Sequence, residues 1–227
     1  MCMARVFDRN IFIMLVAVMI GIVVITYFIA DIMRRSQIET LTFQHEGEMR
    51  DVTYKSENFT DRFLQGTLKM NAAREIREVG NYHFDFALFW YTNAFRNVTD
   101  ETIHCCIENC TNAMSKYLES YESFNLSQPL FEEAKTYTNH SKYIEILGYY
   151  LLFAESGKNI TMLRYTASEY LRAAAENLSL GQTENLTLMM DLFNQTEDRY
   201  GEQLGVYNEY KGQIDEFVFF DTIREMH

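Results

Sequence analysis

The chain has 227 residues, a net charge of −12 and an aromatic content of 15%. That aromatic content excludes a disordered chain. The acidic balance excludes nucleic acid as a partner and excludes docking on anionic lipid through a basic patch. One proline and ten glycines leave few chain breakers, so the composition predicts an all-α fold.

In chain order, residues 1–10 read as a short cytoplasmic tail, with Cys2 a candidate for lipid attachment. Residues 11–30 contain no charge and no proline. As a helix they would span about 30 Å, the thickness of a bilayer's hydrocarbon core. This predicts one transmembrane helix with the bilayer as its partner. It reads as an uncleaved signal anchor, because a small-x-small cleavage pattern is missing at its end. Arg5 and Arg9 lie before it and Arg34 and Arg35 after it, so the positive-inside count does not orient it. Glycosylation sequons do. Asn-x-Ser/Thr occurs at Asn58, Asn97, Asn109, Asn125, Asn139, Asn159, Asn177, Asn185 and Asn194, nine of the chain's 15 asparagines and all beyond the apolar stretch. The expectation is a single-pass protein of the cell membrane, with its amino end in the cytoplasm and a glycosylated extracellular body. A long amino-terminal apolar helix after a short basic leader also resembles type IV pilins. The glycine or alanine that usually ends their leader and the glutamate early in their apolar run have no counterpart here.

Residues 31–58 hold sparse apolar positions among many charges and read as a helical stalk. Residues 59–227 read as an antiparallel bundle of four to five helices. In the first of these, Leu68, Ala72, Ile76, Val79, His83, Phe86 and Trp90 recur at steps of four and three and predict the buried seam. Thr99 and Glu101 mark the start of a second helix, with Ile103, Ile107, Cys110, Met114, Tyr117, Tyr121 and Phe124 on its stripe. Residues 125–129, with Ser127 and Pro129, predict a turn. A third helix with Leu130, Ala134, Tyr137, Ile144 and Leu151 on its stripe, widened by Tyr143, Leu147, Tyr150 and Phe153, follows and is expected to end at residues 156–159. A fourth carries Ile160, Leu163, Ala167, Tyr170, Ala174 and Leu178, and Gly181 breaks it. The last runs from about Glu184, with Leu186, Met190, Phe193, Tyr200, Leu204, Tyr207, Ile214 and Val218 on its stripe. The run from Phe217 to Phe220 completes the core or meets a partner.

Three groups could carry chemistry. His104, Cys105, Cys106 and Cys110 cluster within seven residues. In an outside-facing body Cys105, Cys106 and Cys110 are disulfide candidates, free thiols being the alternative. A zinc or copper site is the weaker reading, because the ligand spacing is unusual. His83, Phe86 and Trp90 could line an apolar pocket. Core packing is the simpler account, with His83 bonded to a tyrosine or carboxylate. No nucleophile elbow, zinc-protease helix, phosphate loop or calcium loop occurs, and no cofactor is implied. The expected function is therefore non-enzymatic: a binding, sensing or accessory subunit that meets a protein partner or a second copy through helical faces. In layout alone this is similar to the outer domains of helical-bundle chemosensors. The alternatives are a pilin-like assembly subunit and an extracellular metal-binding protein using the His104/Cys105/Cys106/Cys110 cluster.

Overall fold

The computed structural model describes residues 2–217, with the side chains of residue 27 and of residues 30–217. Among the described residues there are four helices and no strand: α1 (Cys2–Arg96), α2 (Asp100–Thr136), α3 (Ser141–Ser179) and α4 (Thr183–Glu216). The chain divides into two units, Met1–Tyr54 and Lys55–His227.

In the first unit, every described side chain is exposed except that of Asp31, which is half-buried. Ile38, Leu41, Met49 and Val52 all face solvent. This stretch is held by its helical hydrogen bonds and by i,i+4 ion pairs such as Arg35–Asp31 at 3.0 Å. Such exposed pairs contribute a few tenths of a kcal/mol each.

The second unit is a helical bundle. Its connections are residues 97–99, 137–140 and 180–182, short enough to force antiparallel neighbours. The contacts agree. On α1 and α2, Gly66 meets Phe131, the Ala73 carbonyl accepts from Ser120 Oγ at 2.7 Å, and Gly80 meets Tyr117. Residue numbers rise on one helix as they fall on the other. α3 packs along both α2 and α4.

The helix boundaries follow from local chemistry in two places. Thr99 caps α2: its hydroxyl accepts from the Thr102 backbone N–H, the Thr102 hydroxyl accepts from the Thr99 N–H, and Asp100 and Glu101 occupy the first turn. At the end of α3, Gly181 adopts φ +68. Its N–H donates to the Leu178 carbonyl and the Gln182 N–H to the Asn177 carbonyl. This closing pattern needs a left-handed residue, which glycine supplies without a side-chain clash.

Two breaks expected from sequence are absent. α2 runs through Pro129 without ending. Phe124, Ser127 and Phe131 are fully buried on one stripe that straddles the proline. Two phenylalanines together bury enough surface to outweigh the roughly 3 kcal/mol cost of a mid-helix proline. The carbonyl that loses its N–H partner belongs to exposed Asn125, where water can replace it. Ser127 is not a cap; its hydroxyl donates to the Phe124 carbonyl at 2.7 Å. Residues 156–159 lie inside α3, because Gly157 is the position against which Phe124 packs. The chain turns instead at residues 137–140.

The seam of α1 also lies elsewhere. The buried positions are Gly66, Met70, Ala73, Arg77, Gly80, Phe84, Ala87, Tyr91 and Ala94, an unbroken alternation of four and three. Of the seam expected from sequence, Leu68, Val79 and Phe86 are exposed and Ala72, Ile76, His83 and Trp90 half-buried. The stripes expected on the later helices do face the core: none of Ile160, Leu163, Ala167, Tyr170, Ala174, Leu178, Phe193, Tyr200, Leu204 or Tyr207 is exposed.

The membrane expectation is corrected. Among the described residues, no helix is long and apolar enough to cross a membrane. Their apolar positions recur at helical spacing with charges between them, so they make one-sided stripes rather than apolar rods. The single-pass topology and the assignment to the cell membrane are withdrawn accordingly. The side chains of residues 11–26, 28 and 29, on which that expectation leaned, are not among those described, nor is the side chain of Cys2, and residues 218–220 lie outside the described residues.

Candidate functional site

The nine sequon asparagines do not behave alike. Asn97, Asn125, Asn139, Asn159, Asn185 and Asn194 are exposed, whereas Asn58, Asn109 and Asn177 are half-buried. Asn109 faces α1 across the α1/α2 seam. Its Oδ1 lies 3.3 Å from His83 Nδ1, and its Nδ2 donates to the Cys105 carbonyl at 2.9 Å. The nitrogen a glycan would occupy is thus already committed within a packed interface. Peptide mapping of the chain made in a glycosylating eukaryotic cell should find Asn109 bare and the exposed six carrying sugar. A sugar on Asn109 in folded protein would show that the interface opens there.

His83 is half-buried, and its partner is the Asn109 amide rather than a tyrosine or carboxylate. The ring of Tyr82 stands edge-on to it at 5.8 Å. Phe86 is exposed, and His83 and Trp90 are half-buried. An apolar cleft of about 410 Å³ is formed nearby by Tyr91, Thr92, Phe95, Arg96 and Met190.

Cys105, Cys106 and Cys110 are free thiols. Cys106 and Cys110 are fully buried in the core with Tyr91 and Leu171, Cys105 is half-buried, and His104 is exposed. A hydrogen bond to Cys106, followed by burial, pushes the Cys110 thiol far up, so it stays protonated and unreactive. Burial, with Cys106 a smaller contribution, raises the Tyr91 hydroxyl. With His104 pointing to solvent and two cysteines to the core, the four side chains do not converge. Among the described residues, no group of three His, Cys, Asp or Glu side chains could hold a metal ion.

Two charged features at seam positions were not anticipated from sequence. Arg164 sits among the core positions Ile160, Ala167 and Leu171. Its Nη1 donates to Glu197 Oε2 at 2.7 Å, and its guanidinium lies over the rings of Tyr200 and Phe84, at 3.9 and 4.5 Å. Burial raises the Glu197 carboxyl above the usual range, and Arg164 only partly offsets this. Arg77 lies in the α1 seam, 6% exposed, with its guanidinium 4.6 Å over the Tyr207 ring. The signal for both was available: a cation in phase with the heptad, flanked by aromatics at the facing positions.

No protein family matches the chain, and comparison with curated proteins and with solved structures finds no match.

Proposed function

We propose that this chain is a non-catalytic, N-glycosylated helical bundle that works by binding, and that it pairs with a second copy along the outward face of α1. The observation that carries this reading is an exposed aromatic stripe. Val79, Tyr82, Phe86 and Phe89 are all solvent-facing, Tyr82 at 60% and Phe89 at 57%. They repeat at steps of three and four, and the Tyr82 and Phe86 rings already touch at 4.7 Å. A bundle that has a complete core on the other face of α1 does not need them. Contiguous exposed apolar surface of this kind marks an interaction site. Its helical spacing suits another helix, and two-fold pairing presents the same stripe from each copy.

Sequon placement supports the same face. α1 carries none between residues 59 and 96, whereas residues 97–194 carry eight. Glycans would shield the other three helices and leave residues 59–96 of α1 bare.

Sedimentation equilibrium of the full chain tests the proposal. A concentration-dependent dimer is expected, and Tyr82→Glu with Phe86→Glu should dissociate it while leaving unfolding within about 0.5 kcal/mol of the parent, as for exposed substitutions generally. A parent chain that stays monomeric at every concentration would overturn it.

A further inference from the structure

We infer that the cleft between α1 and α4 around Arg77 binds a small anionic oxygen ligand, a carboxylate or a phosphate. The cleft is about 430 Å³ and lies within the second unit. Arg74, Arg77 and Lys211 converge on it, with Asn71, Asn208 and Tyr207 between them. Glu75 and Glu78 also line it, so the cleft holds three cations and two carboxylates.

Arg77 gives the cleft its chemistry. Its side chain is 8% exposed, and Nε and Nη1 make no well-formed hydrogen bond. Burial raises the Tyr207 hydroxyl, and the Arg77 guanidinium beside it partly offsets this. Buried charged donors without acceptors are costly, and the groups missing here are acceptor oxygens. Nη2 alone is engaged, by Glu78 Oε1 at 3.0 Å. The Glu78 side chain is 64% exposed, so this is a loosely held carboxylate from the chain itself. It occupies one prong of a fork that takes carboxylate or phosphate oxygens two at a time. Nε and Nη1 are covered, so a ligand anion would reach the guanidinium at Nη2, sharing it with Glu78 or pushing Glu78 into solvent. Lys211 is paired with Asp215 at 2.9 Å, and Arg74 Nη1 lies 3.4 Å from Asn71 Oδ1. Both lie at the cleft and can turn toward a second charge. Glu75 and Glu78 at the cleft oppose an anion, so the net attraction is modest and the ligand small. Stacking on Tyr207 holds the Arg77 guanidinium in place before the ligand arrives, which reduces the ordering cost of binding.

The test is titration of the full chain with sodium phosphate and, separately, sodium acetate at constant ionic strength, followed by backbone amide NMR. Saturable shifts confined to residues 71–78 and 207–211 are expected. Phosphate alone, acetate alone or both would define the ligand class. Arg77→Met is the direct variant, and because Arg77 is buried it can disturb folding. Lys211→Gln and Arg74→Gln are therefore the informative losses, each expected to weaken binding about five-fold, a change of roughly 1 kcal/mol. Glu78→Gln should act the other way and tighten it, since it removes the competing carboxylate. Absence of a saturable shift up to about 50 mM, where a site with Kd near 1 mM would be full, overturns the inference. So does a shift that Lys211→Gln, Arg74→Gln and Glu78→Gln all leave unchanged, which would be a general salt effect. The outcome is independent of self-association through α1, because Tyr82→Glu with Phe86→Glu leaves this cleft intact.

Discussion

Phe124→Ala should lower the unfolding free energy by about 3–5 kcal/mol, the range for emptying a fully buried phenylalanine site. Phe124 is fully buried, and its ring packs against Gly157 of α3. A Cβ built on Gly157 would lie 2.6 Å from two ring carbons. The ring cannot withdraw, because its surroundings are core on every side. Gly157→Ala should therefore destabilise as well, by about 1–3 kcal/mol of overpacking, even though alanine is the better helix former by about 1 kcal/mol. The two effects share one space, so they will not add. Gly157→Ala combined with Phe124→Leu should recover part of the loss, because the smaller side chain makes room for the new methyl. Urea unfolding of the two single variants and the double variant measures the coupling. A Gly157→Ala protein more stable than the parent would mean that α2 and α3 are not held this close.

Arg164→Met should cost about 2–3 kcal/mol, with a pH signature. Removing one partner of a buried ion pair usually costs 3–5 kcal/mol. The two side chains here are 17% and 27% exposed, so the lower figure is appropriate. The variant leaves Glu197 half-buried with Oε2 unpaired, and Oε1 already lacks a partner. In the parent, the carboxyl of Glu197 titrates above its ordinary value, chiefly through burial. The folded state therefore binds its proton more tightly than the unfolded state does. Stability from this group is largest at low pH and falls as pH rises from the ordinary carboxylate value through the raised folded one. Without Arg164 the folded value rises further, so Arg164→Met should lose more stability at pH 8 than at pH 5. Glu197→Gln in the same background should flatten the difference. Glu155 runs in the opposite sense. Hydrogen bonds from Lys158 and Gln128 lower its carboxyl, so its stabilising share is present above the ordinary value and is lost as pH falls through the lowered one. Its side chain is 49% exposed, which keeps that share small. Denaturation midpoints at the two pH values decide the matter: an equal loss at both would show that Glu197 gains no extra proton affinity when Arg164 is removed.

The misplaced seam of α1 has a single cause. Hydrophobic periodicity weights large residues, and Leu68, Val79 and Phe86 made the stronger pattern. The α1 seam instead alternates the small residues Gly66, Ala73, Gly80, Ala87 and Ala94 with Met70, Arg77, Phe84 and Tyr91. Small residues are needed there because the large ones are on the partner: Tyr117 packs against Gly80 and Phe131 against Gly66. A pattern read from one helix cannot show that its neighbour supplies the bulk. The false turn at residues 125–129 has a related origin. Ser127 and Pro129 are local turn signals, but Phe124 and Phe131 anchor the chain on either side through contacts far apart in sequence. The candidate groups were legible as residue types and not as places. His104, Cys105, Cys106 and Cys110 are adjacent in the chain, yet helical geometry sends His104 to solvent and Cys106 and Cys110 to the core.

By itself, the sequence determined that the described chain is helical, where α2 begins, that Gly181 closes α3, and which faces of α3 and α4 are buried. Composition, caps and the spacing of large apolar residues are local properties, and they suffice when those residues are the ones that pack. Only the tertiary structure decided which face of α1 is inside, where α2 and α3 meet, and that Arg77 is buried and Arg164 half-buried at seam positions. Those outcomes depend on how the shape and charge of one helix complement another, and complementarity is a property of pairs of segments.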